Sequence, residues 1–132
     1  MILVDTSVLI AFLKGIENKK VKKFEEAIQN NIPFGINKFI YQEILQGAKT
    51  EKEFNLLKEY LGTQKFYDLK HGIKSYENAA KLYFKCRKKG ITIKSTIDLL
   101  IAETAIENNL YLLHDDRDFS LIAQVDKRLK EY

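Results

Sequence analysis

The chain has 132 residues, a single cysteine and a formal net charge of +4, from 22 Lys and Arg against 18 Asp and Glu. That length sustains one hydrophobic core without staples, and lone Cys86 excludes an internal disulfide, so the chain reads as a single domain, residues 1–132, of a reducing compartment. Met1 runs straight into Ile-Leu-Val-Asp without the basic start and cleavage site of a secretory leader, and no apolar run nears the ~18 residues of a membrane span; a soluble, cytoplasmic protein is expected.

Residues 2–5 are a short apolar run ending in Asp5, followed by Thr6 and Ser7 and then Val8, Leu9, Phe12 and Leu13 at helical spacing. This predicts a strand feeding directly into a helix that Gly15 closes. Asp5 would cap that helix, or stand at the carboxyl end of a buried strand, where open α/β sheets place their ligands. A second helix is expected over 19–30, with Val21, Phe24, Ala27 and Ile28 inward, then a strand over 32–36. Asn37 caps a third helix that carries Glu43 beside its apolar stripe. Residues 51–61 predict a fourth helix stopped by Gly62, and Lys65–Leu69 a third strand.

A helix from Gly72 to Lys89 is expected to bury Ile73, Tyr76, Ala80, Tyr83 and Phe84. Its last turns hold most of a basic cluster made of Lys81, Lys85, Arg87, Lys88, Lys89 and Lys94, which suits either a solvated face or a polyanionic partner. Cys86, within it, belongs to no nucleophile motif. Residues 94–108 read as an amphipathic helix with Asp98 in its first turn and Ser95 or Thr96 as its cap. An apolar strand over 110–113 precedes His-Asp-Asp-Arg-Asp-Phe, and residues 121–132 give a short helix and a final strand. Strands alternating with helices imply an α/β fold: a mostly parallel central sheet of four to five strands with helices on both faces.

Such a sheet brings Asp5, Asp98 and the Asp115–Asp118 group to one rim, and Glu43 reaches it from its helix. Like charges about 4 Å apart cost on the order of 4 kcal/mol per pair at an effective dielectric of ~20, so a positive charge is needed among them. Oxygen donors with no His or Cys pair select a hard cation, Mg²⁺ with Mn²⁺ as a substitute, over zinc. Such an ion suits hydrolysis of a nucleic-acid phosphodiester. No G-x-x-x-x-G-K-[ST] loop, H-E-x-x-H or serine elbow competes.

Four stretches, ILVDTSVLIA, the helix bearing Glu43, STIDLLIAETAIENN and YLLHDDRDFSLIA, resemble the PIN-domain family and, within it, the VapC-type toxins of prokaryotic toxin–antitoxin pairs. The resemblance spans essentially the whole chain. It implies a Rossmann-like sheet and a metal-dependent endoribonuclease cutting structured RNA such as tRNA or rRNA. Asp5, Glu43, Asp98 and Asp116 match the family's acidic quartet, with Asp5, Asp98 and Asp116 as metal ligands and Glu43 orienting the attacking water. Thr6, Ser7 and Asp118 match supporting positions. His114 departs from the hydroxyl residue of many relatives, and Asp115 leaves the ligand ambiguous among Asp115, Asp116 and Asp118, with Asp116 favoured. A homodimer and a cognate antitoxin protein are implied partners, and Lys85, Lys88 and Lys89 are the expected RNA-binding residues. A housekeeping RNA-processing nuclease and a non-catalytic metal- and RNA-binding module stand as rival readings.

Overall fold

The computed structural model describes all 132 residues. β1 (Ile2–Val4) is buried at every position, which is why its residues are uniformly aliphatic instead of alternating. Asp5 ends it and caps α1 (Thr6–Leu13), its carboxylate accepting the Ser7 N–H. Gly15, at φ +72°, turns the chain out of that helix. α2 (Lys19–Gln29) is capped by Asn18 and buries Val21, Phe24 and Ala27. Ile28, expected inside, is exposed, because one further residue rotates it off the stripe.

β2 (Phe34–Gly35) is shorter than the expected strand over 32–36, and Lys65–Leu69 is not a strand at all. Phe66 makes only an isolated parallel bridge to Ile36. Pairing cannot extend further, because the next residue, Asn37, already caps α3 (Lys38–Gln46) through the Ile40 N–H. α4 (Glu51–Gly62), α5 (Ile73–Lys88) and α6 (Thr96–Glu107) follow, then β3 (Tyr111–Leu113), α7 (Arg117–Val125) and β4 (Lys130–Glu131).

The four strands pair in parallel in the order β2-β1-β3-β4. From β1 the chain moves to one side to make β2 and crosses to the other side for β3, so a topological switch lies between β1 and β3. The carboxyl ends of those two strands, at Asp5 and His114, therefore open on the crevice where such sheets bind ligands.

Two helices differ from their sequence reading. α5 turns Ser75, Ala79, Leu82 and Cys86 inward, while Ile73, Tyr76 and Phe84 are exposed. Both faces carry helical spacing, and the smaller residues win because they let α5 approach α6 closely. α6 itself is buried from Leu99 through Ala105, packed among α3, α5, α7 and β3, so it is a core helix more than an amphipathic one.

That burial includes Glu103, only 1% exposed. Glu103 Oε1 and Glu107 Oε2, one helical turn apart, are both buried without a partner. Burial, reinforced by Glu107, pushes the Glu103 carboxyl up to about 8. Once protonated, its O–H donates to Glu107, which burial alone would raise but which Glu103, the Lys70 N–H and the Ser75 hydroxyl together hold below its ordinary value. Asp126 and Arg128 also face Glu103, and His71 faces Glu107.

Two outcomes are expected. A Cβ at Gly35 would meet the Lys65 carbonyl oxygen at 2.5 Å and the Tyr67 ring at 2.7 Å, so Gly35→Ala should destabilise by about 1–3 kcal/mol in chemical denaturation. Glu103 binds its proton more tightly folded than unfolded, so its stabilisation is complete below the ordinary Glu pKa and is lost as pH rises through about 8. Glu103→Gln, whose amide donates without titrating, should lose less melting temperature between pH 5 and pH 8.5 than the parent. Parallel pH profiles would show that Glu103 is not the protonated partner.

Candidate functional site

Asp5 is held in place three times over. Its N–H donates to the Leu113 carbonyl across the sheet, and its carboxylate accepts both the N–H and the hydroxyl of Ser7, the latter at 2.7 Å. The Ser7 hydroxyl in turn accepts the Asp115 N–H at 3.0 Å, tying the loop after β1 to the loop after β3. Thr6, beside it, donates its hydroxyl to Glu43 Oε1 at 2.9 Å and so draws α3 to the same edge. Thr6 and Ser7 thus brace the two acids nearest them.

Asp116 caps α7, accepting the Asp118 N–H at 2.9 Å. Asp118 Oδ2 accepts the Lys94 N–H at 3.3 Å and so ties α7 to the segment that leads into α6. His114 is buried and fixes this loop: its Nδ1 accepts the Asp116 N–H, which leaves Nε2 to carry the proton donated to Glu131 at 2.7 Å. Ser120 donates to the same Glu131 oxygen. His114 is therefore a strut joining β3, α7 and β4. Asp98 stands in the first turn of α6, and Ser95 is that helix's N-cap but makes no side-chain capping bond, contrary to the expected Ser95 or Thr96 cap.

The electrostatics show which acids share space. Burial raises the Asp98 carboxyl to about 7, and Asp116, Asp5, Glu43 and Asp118 all push in the same direction. Asp5 is 4% exposed; burial raises its carboxyl despite the two bonds from Ser7. Glu43 is raised by burial and by Asp5, with the Thr6 hydroxyl opposing. The other three acids of the expected quartet, and Asp118, thus all act on Asp98, and Asp5 acts on Glu43. As placed, no three His, Cys, Asp or Glu side chains are arranged to hold one ion, so a bound cation would have to draw carboxylates inward. The donor set fits a hard divalent cation: it is all oxygen, it is anionic, and Asp98 in it is shifted by its neighbours' charge as well as by burial.

Beside these acids is a cleft of about 570 Å³, lined by Asp98, Asp116 and Asp118 together with Thr92, Ser95, Lys94 and Arg117. Asp5 and Glu43 do not line it. Nor do the expected RNA-binding lysines: Lys85 is engaged with Asp126 at 3.3 Å, Lys88 lies over the Phe84 ring, and the lining begins after Lys89, at Gly90. Lys94 and Arg117 are the cleft's cations. Arg117 had a signal in the sequence, its place between the two acids of Asp-Arg-Asp-Phe, whereas Lys94 was one of six basic residues and only the fold separates it from the rest.

The family described as the PIN domain matches residues 2–125. Ribonuclease VapC11 of Mycobacterium tuberculosis and VapC ribonuclease Mb1587 of Mycobacterium bovis are each 29% identical over 130 residues, covering 95% of this chain and 93% of theirs. Among solved structures, VapBC2 from Rickettsia felis, bound to a DNA fragment from its promoter, superposes with a TM-score of 0.75 at 20% identity, covering 100% of this chain and 98% of that one. FitAcB from Neisseria gonorrhoeae gives 0.68 at 20% identity, covering 100% and 96%. These structural likenesses establish the fold.

Adding Mg²⁺ or Mn²⁺ to metal-free protein should raise its melting temperature, by the equivalent of about 2.7 kcal/mol at 100 times the dissociation constant. Asp98→Asn should melt higher than the parent without metal above about pH 7, where the parent carboxyl is charged, and should gain less when metal is added. Equal gains in the two proteins would place the ion away from Asp98.

Proposed function

The chain belongs to the PIN-domain family, and we propose that it is a metal-dependent endoribonuclease, the toxin of a toxin–antitoxin pair, acting on a structured cellular RNA. The observation that carries this reading is Asp98, whose carboxyl is raised to about 7 by burial and by acids from β1's end, α3 and the start of α7. A structural acid has no need of such company. The VapC ribonucleases that match nearly the whole chain support the same activity, and their kinship with toxins favours that role over housekeeping RNA processing.

In this reading Asp5, Asp98 and Asp116 hold the ion. A hard divalent cation held there, Mg²⁺ or Mn²⁺ in its place, would supply positive charge beside the scissile phosphate and favour deprotonation of the attacking water. Glu43 is the proton acceptor. Its Oε1 is occupied by the Thr6 hydroxyl, which fixes the carboxylate's orientation and leaves Oε2 to receive a proton from the attacking water. Water oxygen adds to phosphorus, the bond to the 3′ oxygen breaks, and that oxygen takes up a proton, leaving a 5′-phosphate and a 3′-hydroxyl. Thr6 and Ser7 keep Glu43 and Asp5 from turning away from each other's charge, and the His114–Glu131 strut does the same for Asp116.

Partners follow from the same reading. Exposed Ile73, Tyr76 and Phe84 on α5, and an apolar groove of about 480 Å³ between α1, α3 and α4 that includes Ile10, Leu13, Leu56 and Tyr60, are the surfaces that an antitoxin and a second copy of the chain would cover.

The test is cleavage of total RNA by purified protein with Mg²⁺ or Mn²⁺, with EDTA, Asp98→Asn and Asp116→Asn as controls and the new ends mapped. Discrete cuts bearing 5′-phosphates, abolished by chelation and reduced at least 100-fold by either substitution, are expected. A folded protein that binds Mg²⁺ and RNA without cutting would instead be a binding module.

A further inference from the structure

We propose that Lys94 and Arg117 form a phosphate-binding subsite inside the acidic cleft, holding a backbone phosphate of the RNA strand beside the one that is cut. This rests on the nuclease reading above and gives its substrate a second anchor. Both side chains line the same cleft as Asp98, Asp116 and Asp118. Yet neither forms an ion pair or a side-chain hydrogen bond with any of these acids, whereas Lys85, Lys38 and Arg128 elsewhere are each paired with an aspartate. Two free cations in a cleft walled by three carboxylates are available to an incoming anion.

Their positions do not serve the helices. Arg117 is the first residue of α7, and Lys94 immediately precedes Ser95, the N-cap of α6. A cation at a helix N-terminus opposes the macrodipole, so helix stability gives no reason for either charge. Nor does the loop need the Lys94 side chain, since its bond to Asp118 is made by the backbone N–H. Both residues are exposed, so their charges remain accessible to solvent and to a strand lying in the cleft. The acids alone would repel a polyanion. Two cations lining the cleft, one on the approach to α6 and one opening α7, give the phosphodiester chain a fixed anchor beside the acids and set its register. The expected basic triad at 85–89 then becomes a more distant source of attraction.

The experiment measures binding of a 5′-fluorescein-labelled single-stranded RNA oligonucleotide by fluorescence anisotropy across a salt series. It compares the full-length parent, Lys94→Gln, Arg117→Gln, the double variant and Lys52→Gln on exposed α4 as a control. Each cation removed should lower the slope of log affinity against log salt by about 0.7 and weaken binding roughly five- to tenfold at 50 mM salt, with the two effects additive. Melting temperatures should stay within about 2 °C of the parent, because both side chains are exposed and unpaired. Lys52→Gln should leave affinity and slope unchanged. If the parent binds RNA and both variants match it in affinity and slope, the subsite is wrong while the nuclease reading stands. If the parent binds no RNA, both fall together.

Discussion

Concentrated negative charge at one edge of a parallel sheet is the constraint on which the rest of the structure depends. Asp5, Glu43, Asp98 and the Asp116–Asp118 pair come from four different elements, and their repulsion favours separation. The fold opposes it with short bonds to each carboxylate or to its backbone. Ser7 holds Asp5, Thr6 holds Glu43, the Asp118 N–H holds Asp116, and the Lys94 N–H holds Asp118. Only the Asp98 carboxylate accepts no such bond; it is carried by a helix buried from Leu99 to Ala105, which cannot rotate without disrupting the core. Rigidity in α6 therefore does for Asp98 what hydroxyls and backbone donors do for the others.

The N-terminal signals in the sequence were legible because each residue satisfies two demands at once. Asp5 is both the cap of α1 and the acid at the end of β1, so the two placements that stood open for it coincide. Asn37 similarly caps α3 and reaches across to donate to Thr104 on α6 at 3.1 Å, which ties the helix bearing Glu43 to the helix bearing Asp98. The parallel sheet and the meeting of the acids at one rim follow from local pattern plus the switch-point rule for parallel sheets, whereas the strand order β2-β1-β3-β4 comes from the structure.

What was not legible depends on tertiary choice. On α5 two faces both carry helical spacing, and nothing local says that Ser75, Ala79 and Cys86 will be preferred to Ile73, Tyr76 and Phe84. The choice is made by how closely α6 can approach, a property of the partner helix. The same holds for charge. Six basic residues between positions 81 and 94 look alike in the sequence, but the turn at Gly90 sends Lys94 to the cleft and leaves Lys85 with Asp126. The missing strand at Lys65–Leu69 has the same origin, since Asn37 claims the backbone for a helix before a ladder can lengthen.

Glu103 and Asp98 lie on one helix and show why a perturbed carboxyl must be read with its surroundings. Glu103, raised to about 8, and Asp98, raised to about 7, are both strongly shifted. By perturbation alone Glu103 would be as good a functional candidate as Asp98. But Glu103 is 1% exposed, and its nearest acidic partner is Glu107 on the same helix, so one proton closes the pair where no ligand can enter. Asp98 opens onto the cleft, and its neighbours come from three other parts of the chain. Keeping a proton there would remove one charge yet leave the remaining acids in place. That site stays open to positive charge, from Lys94 and Arg117 in the same cleft or from a bound cation, whereas Glu103 finds its relief within the core.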